Sequence, residues 1–336
     1  MNLVVDNLNY DDFLKIGFTS GNFLQSTIWK DFLKAQKIFF WQLIVKENSE
    51  TLAVCLVYEN KLFFSRSYLY SPKGPIFSKE LNDEQKKEAI FLILSKMRDV
   101  TIATKKYEEI FYKLEPADYD ALLPEFIKAS DVQPRDSLIL DLTKNHQQLL
   151  GEMHAKTRYN IGLAQRKGVR IKFSHQEEDI KYFLKLIKKT AKKNQITVHS
   201  DDYYKLLYQT LLKHQAGQLC LAYVDNKIVV VNLILRFGSA ATYLHGAADY
   251  KFRAHMAPQL LQWETIKQSK ELGYKIYDFW GITPDDNSKP GWEGFTRFKK
   301  GFGGQIIKAP GTHNFVYHPA MYKFYLLANK VRNILK

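Results

Sequence analysis

Cysteine is almost absent: Cys55 and Cys220 are the only two in 336 residues, and they form no Cys-x-x-Cys pair. That excludes a disulfide framework and a cysteine-built zinc site. Long apolar runs are missing as well. The most apolar stretches, 38–45 and 228–237, fall far short of the roughly 20 residues that cross a bilayer, and Asn232 interrupts the second. The chain does not open with a basic segment followed by an apolar one, so no signal peptide is expected and the expected location is cytoplasmic. Among nine histidines the nearest pair, His313 and His318, lacks the spacing of a helical metal site. No metal and no other cofactor is therefore expected. Nor is there a Gly-x-Ser-x-Gly elbow, a Ser-His-Asp signature or a phosphate-binding Gly-x-x-x-x-Gly-Lys-Ser/Thr, which takes support from hydrolase and nucleoside triphosphatase readings.

Acidic residues are scarce in one half only. Residues 1–150 carry 19 Lys and Arg against 21 Asp and Glu, whereas 151–336 carry 30 against 14, so the halves stand at −2 and +16. The second half faces a polyanion or a phosphorylated ligand, unless its charge serves only solubility. With 46% hydrophobic and 25% charged residues, the composition is that of a globular protein.

Each half follows one order of elements: a helix, a hairpin, a further strand, a second helix and a last strand. In the first half these are a helix over 28–35, strands over 39–45, 51–58 and 61–70 with a turn at Glu59-Asn60, a helix over 82–98 and a strand over 110–114. In the second they are a helix over 202–213, strands over 218–224 and 228–236 flanking Asp225-Asn226-Lys227, a strand over 240–246, a helix from Pro258 to Gly273, and a strand over 275–279. Strands alternating with helices make this an α/β protein with mixed sheets. Between the halves come a strand over 138–142, a helix capped by Thr143, and a helix over 156–167 ended by Gly168. A further helix is expected to start from a Ser174–Glu177 capping box and run to about Asn194.

Several groups could carry chemistry. On the helix ending near Asn194, Lys181, Lys185, Lys188, Lys189, Lys192 and Lys193 share one face, opposite Phe183, Leu186, Ile187 and Thr190. That face suits either solvent or nucleic-acid phosphates. Lys156-Thr-Arg-Tyr-Asn-Ile, with Arg158, forms a second basic patch. Tyr70-Ser-Pro-Lys-Gly-Pro suits a rigid turn, and Glu115 ends a strand where α/β sheets often place function. Asp278, between Tyr277 and Phe279, is expected to be buried or at a strand end, and a buried carboxylate needs partners; a structural hydrogen-bond role comes first and catalysis second. His199, Tyr203 and His245 stand near element ends. The densest segment is 294–304, with Phe298 and Lys299 among four glycines: either a glycine turn or a loop that brings a lysine to negative charge.

Lys156-Thr-Arg-Tyr-Asn-Ile with Arg166-Lys-Gly-Val, Tyr70 to Pro75, and above all Tyr277-Asp-Phe-Trp-Gly-Ile followed by Phe295 to Gly304 resemble the Fem family of peptidoglycan bridge-building aminoacyltransferases, over nearly the whole chain. The resemblance implies two tandem GNAT (acetyltransferase-like) domains: residues 1–143 with a returning segment 312–336, and 144–311. No sustained heptad run is present, which fits the compact type without a coiled-coil arm. It further implies aminoacyl-tRNA as co-substrate and a UDP-linked or lipid-linked muropeptide as acceptor, leaving peripheral membrane association open. Lys299, after Phe298, matches the lysine that stabilises the transition state. Glu115 stands at an acid/base or substrate-binding position, with Asp278 as a further proton acceptor. Lys34, Tyr70, His199, Tyr203 and His245 fall at precursor-binding positions, although His199 stands where an arginine is expected and His245 where a tyrosine is. Lys156, Arg158, Lys188, Lys189, Lys192 and Lys193 are expected to meet tRNA. An acyl-CoA-dependent N-acyltransferase of the same fold is the alternative enzyme, though its glycine-rich loop is missing at 253–258. A non-catalytic RNA-binding protein would explain the charge alone.

Overall fold

The computed structural model describes residues 1–5, 10–16, 21–62, 64–104, 108–117, 124–285 and 291–334. They form two compact units, Met1–Arg135 with Ala309–Lys336, and Asp136–Lys308. The first unit contains β1 (Asn2–Val5), α1 (Asp11–Lys15), α2 (Thr27–Ala35), β2 (Phe40–Glu47), β3 (Glu50–Lys61), β4 (Arg66–Ser71), β5 (Ile76–Phe77), α3 (Asp83–Thr104), β6 (Glu108–Leu114) and β7 (Ile127–Lys128). The second contains β8 (Ser137–Asp141), α4 (His146–Glu152), α5 (Ala155–Arg166), β9 (Arg170–Ser174), α6 (Ile180–Asn194), α7 (Asp201–Lys213), β10 (Gly217–Val224), β11 (Lys227–Phe237), β12 (Ala240–Ala248), α8 (Ala257–Glu271), β13 (Ile276–Gly281), α9 (Glu293–Lys300) and β14 (Gln305–Ile307). The chain then returns to the first unit as β15 (His313–Val316) and α10 (Pro319–Ile334).

In the first unit the sheet order is β1-β2-β3-β4-β6-β15-β7, with β5 beside β3. Alternating residues of β2 and β3, Leu43 and Val45 with Ala53, Cys55 and Val57, bury one face against Ile90, Ile93, Leu94 and Met97 of α3. Ser26 caps α2 by accepting from the Trp29 amide, and the helix buries Ile28, Trp29, Phe32 and Leu33. The expected turn at Glu59-Asn60 does not form. Both residues pair with β4, Glu59 opposite Leu69 and Asn60 opposite Tyr68, and ladder pairing outweighs their turn preference.

The second sheet runs β14-β8-β13-β12-β11-β10-β9. Its β10-β11-β12-β13 repeats β2-β3-β4-β6: two antiparallel pairings and then a parallel one. The helices correspond too, α7 with α2 and α8 with α3. Asp225 and Asn226, both at positive φ (48° and 61°), make the β10–β11 hairpin turn as the sequence suggests. Pro258 lies in the first turn of α8.

Three local expectations change. The cap of α4 is Asn145, in a capping box with Gln148, while the Thr143 hydroxyl donates to Asp141 instead. Ser174 ends β9 and donates to Asp179, and α6 begins only at Ile180 after a short 3-10 turn, so no Ser174–Glu177 box forms. The segment 294–304 is helical through Lys300, the end of α9, and only its last four residues make the glycine turn that leads into β14. The division between the units also falls earlier than 143/144, because β8 is hydrogen-bonded to β13 and β14 of the second sheet.

Candidate active site in the second unit

The parallel strands β12 and β13 are paired only at Ala240–Ile276, Ala241–Tyr277 and Thr242–Asp278. Beyond Asp278, β13 bulges, with Trp280 in the left-handed region (φ 59°), and the two strands part. Across from β12, register slips at Leu244: Tyr243 lies opposite Ile234 and His245 opposite Leu233. One extra residue flips the alternation, so Tyr243 packs on the α5–α8 core while His245 meets Phe183 of α6 and Tyr204 of α7. The Tyr243 hydroxyl lies over Gly246, where a Cβ would collide with it. The first unit has no such opening, since β4 and β6 stay paired through Ser71–Leu114 and the Glu115 amide continues to the Ser71 carbonyl.

Lys299 is placed at this opening. It is 7% exposed, donates to the Gly281 carbonyl at 2.6 Å, and holds its ammonium 5.6 Å from the Tyr243 ring and 5.4 Å from that of Phe295. Burial pulls its pKa down from 10.5 to about 7, against the opposing pull of the Asp278 carboxylate. Such a group changes charge near neutrality, as a catalytic lysine can. Helix α9 sets this geometry by burying Thr296 and Lys299, one turn apart, while Arg297 and Lys300 stay exposed. Phe298 packs against the core and Phe302, 5.3 Å between ring centres.

His199, Tyr203 and His245 are brought to the same place. His199 stacks on Tyr203 at 3.8 Å and meets Tyr204 at 5.9 Å, and Tyr204 in turn meets His245 at 5.3 Å. Burial, then the nearby His199 and Lys299, push the His245 pKa down to about 3, so it is neutral at physiological pH. Burial lowers His199 as well. The pair offers neutral ring nitrogens beside one titrating ammonium. Tyr243 and Tyr204 join this wall without having been singled out from sequence; the bulge that aims Tyr243 depends on strand pairing and leaves no local signal.

Asp278 is fully buried, accepts from the Ser137 hydroxyl and from the Trp280 amide at 2.7 Å, and acts on Lys299 through its charge. Its bonds make it the group that holds the bulge. Glu115 belongs to the first unit and is 3% exposed. It accepts from the Tyr70 hydroxyl, the amides of Val132 (2.8 Å) and Gln133 (2.9 Å), and the Thr312 hydroxyl (2.7 Å). Three of these donors converge on Oε1 and Tyr70 alone reaches Oε2, so the carboxylate clasps the returning segment through one oxygen, and the acid/base use expected of it would fall to the other. Tyr70 is 2% exposed and spends its hydroxyl there, rather than on a precursor. Lys34, in the last turn of α2, is exposed.

The basic residues divide into two groups. Lys156 lines a cavity of about 890 Å³ between the start of α5 and α9, together with Arg297, Lys300 and Phe298. Thr157 and Asn160, 9% and 8% exposed, line it as well. Arg158 instead turns back to the carbonyls of Met153 and Leu150 (3.3 Å). On α6, Lys188 pairs with Asp201 and Lys189 with Asp249, each at 2.6 Å, and Lys193 lies 3.4 Å from the Tyr250 ring centre. Acids from other elements thus neutralise part of a face that looks purely cationic in sequence; Lys192 is exposed. Among the described residues no group of three His, Cys, Asp or Glu is placed to hold a metal ion, and no helix is long and apolar enough to cross a membrane.

The chain as a whole is similar to known proteins. The chain is similar to a lipid II:glycine glycyltransferase of Staphylococcus aureus (strain USA300), 21% identical, covering 95% of this chain and 93% of that protein. The crystal structure of FemX superposes with a TM-score of 0.78 at 18% identity, covering 96% and 99% of the two chains. A tandem GNAT protein from the clavulanic acid biosynthesis pathway matches at 0.55 and 9%, covering 95% and 99%. These likenesses agree with the duplicated order of elements: the fold is two tandem GNAT units with mixed sheets. The FemAB family profile matches residues 5–233 and 225–330, and a match over nearly all of both units means that the chain belongs to the FemAB family.

Proposed function

We propose that the protein is an aminoacyltransferase that moves an amino acid from aminoacyl-tRNA to the stem-peptide amine of a peptidoglycan precursor, building an interpeptide bridge. The observation that carries this reading is the buried Lys299 at the parting of β12 and β13. An aminoacyl ester is already activated. The neutral amine attacks its carbonyl carbon, an oxyanion forms, the bond to the ribose oxygen breaks, and the amine's proton ends on that oxygen. A preorganised cation in a dry site lowers the barrier to such charge development. Lys299 has that position, with Phe298 against the core beside it.

The cations of the α5–α9 cavity, Lys156, Arg297 and Lys300, outnumber its acids, Asp285 and Glu293, and support a phosphate-bearing donor lying along the helix that carries Lys299. His199, Tyr203 and His245 form the acceptor wall. Their neutral rings favour a peptide over a phosphate at that point, and the glycyltransferase relative is named for lipid II, so a lipid-linked acceptor is preferred. The test offers labelled aminoacyl-tRNAs with lipid-linked and nucleotide-linked precursors, with and without coenzyme A. Transfer to the stem peptide without coenzyme A is expected; transfer from no tRNA overturns the proposal.

A further inference from the structure

In the first unit, the outer side of α10 and the turn between β3 and β4 leave large apolar side chains uncovered. Phe64 is 82% exposed, Phe324 53%, Leu327 60% and Val331 49%, and all four border a mostly apolar groove of about 850 Å³. Monomer surfaces rarely gather such groups without a use for them. The helix is held from beneath, where Tyr322 and Tyr325 pack on Phe111 at 5.2 and 5.0 Å. Its outward residues are therefore presented on a fixed support. Charge completes the pattern. Lys61, Lys323 and Lys330 are exposed around the apolar groups, and the whole segment 319–336 contains no acid. The acid facing Arg66 on β6, Glu108, is paired with that arginine and lies 3.3 Å from His318.

We propose that this face docks the protein on an anionic lipid bilayer, with Phe64, Phe324, Leu327 and Val331 entering the headgroup boundary and the lysines meeting lipid phosphates. An apolar stripe edged with lysine on a helix is the chemistry of an interfacial anchor. A second copy of the chain fits less well. A twofold contact would set the same acid-free cationic helix against itself. RNA fits less well too, because bases could stack on Phe64 and Phe324 but would leave the aliphatic Leu327 and Val331 uncovered. The inference extends the proposed function, since a lipid-linked acceptor would lie in such a surface, yet it is tested without any acceptor present.

The experiment is co-sedimentation with vesicles of phosphatidylglycerol and phosphatidylcholine, against vesicles of phosphatidylcholine alone. Binding is expected to the anionic vesicles and to fall at 0.5 M salt. Lys323→Glu with Lys330→Glu should weaken it by at least about 25-fold, from roughly five-fold for each basic residue. Phe64→Asp with Leu327→Asp should abolish it, with melting temperature unchanged. Equal binding to neutral vesicles, or no binding to either, overturns the proposal. So does a dimer in sedimentation velocity that Leu327→Asp dissolves, or RNA binding lost through the same substitutions. Should the paired variants fail to fold, the salt and lipid dependence of the wild-type chain decides alone.

Discussion

At Lys299 the low pKa makes charge state a measurable handle. If the cation is the working form, kcat/KM should fall as pH rises through about 7. Lys299→Arg, always charged, should remove that limb from whatever activity it retains. Lys299→Met should lower kcat by roughly 10²- to 10³-fold, the cost of losing an oxyanion donor, with little change in precursor affinity. Equal turnover would take the lysine out of the chemistry. Stability should move the other way. Below pH 7 the folded protein carries a buried cation, whereas between 7 and 10.5 the unfolded chain binds the proton more tightly, so this group's contribution to stability rises with pH. The methionine variant should therefore gain melting temperature most near pH 6, and the gain should shrink as pH approaches 10. Glu115 calls for the opposite pattern. Glu115→Gln gives up part of a four-donor clasp and should cost about 1–3 kcal/mol in urea unfolding, while turnover per folded molecule holds.

Helix α9 shows where reading elements from sequence works and where it fails. The segment 294–304 stands out through its lysine, aromatics and glycines, but those glycines suggest a loop. Gly294 has open space around it and is tolerated in the helix, whereas Gly303 and Gly304 have φ of 81° and 92°. A Cβ at Gly304 would collide with the Ile139 carbonyl of β8. Gly304→Ala should thus destabilise the second unit by roughly 1–2 kcal/mol or more, read by urea unfolding. Gly304 serves close backbone packing against β8 and Gly303 against the Glu152 carbonyl of α4, and both leave ligand approach to the side chains of α9. On α6 the six lysines are legible but their partners are not, since Asp201 and Asp249 arrive from α7 and the turn after β12. Lys192→Glu with Lys193→Glu should raise the KM for charged tRNA and flatten its salt dependence. Reversing Lys188 and Lys189 should also cost about 0.2–1 kcal/mol per broken exposed pair. No change in KM from either set would assign this face to solvent.

Across the whole molecule, the duplicated order of helices and strands is visible without any identity between the halves, because alternating apolar strands and capped helices leave local marks: Asp225-Asn226, Pro258, Gly168. What joins strands distant in sequence leaves none. β8 enters the second sheet beside β13, and β15 crosses back to β6, so the division between units lies at Asp136 and Lys308. The site is legible to the same degree. Lys299, Tyr203 and His245 come from three separate elements and are brought together, while the bulges at Leu244 and Trp280 that aim the wall arise only from pairing. The contrast between β4–β6, zipped to its end, and β12–β13, parted after three pairs, carries a quantitative consequence. Under the proposed transfer reaction the duplication would be asymmetric in use: a titration of the chain with a non-hydrolysable aminoacylated RNA end should saturate at one equivalent per chain, and each encounter should lengthen the peptide by a single residue before the spent RNA must leave.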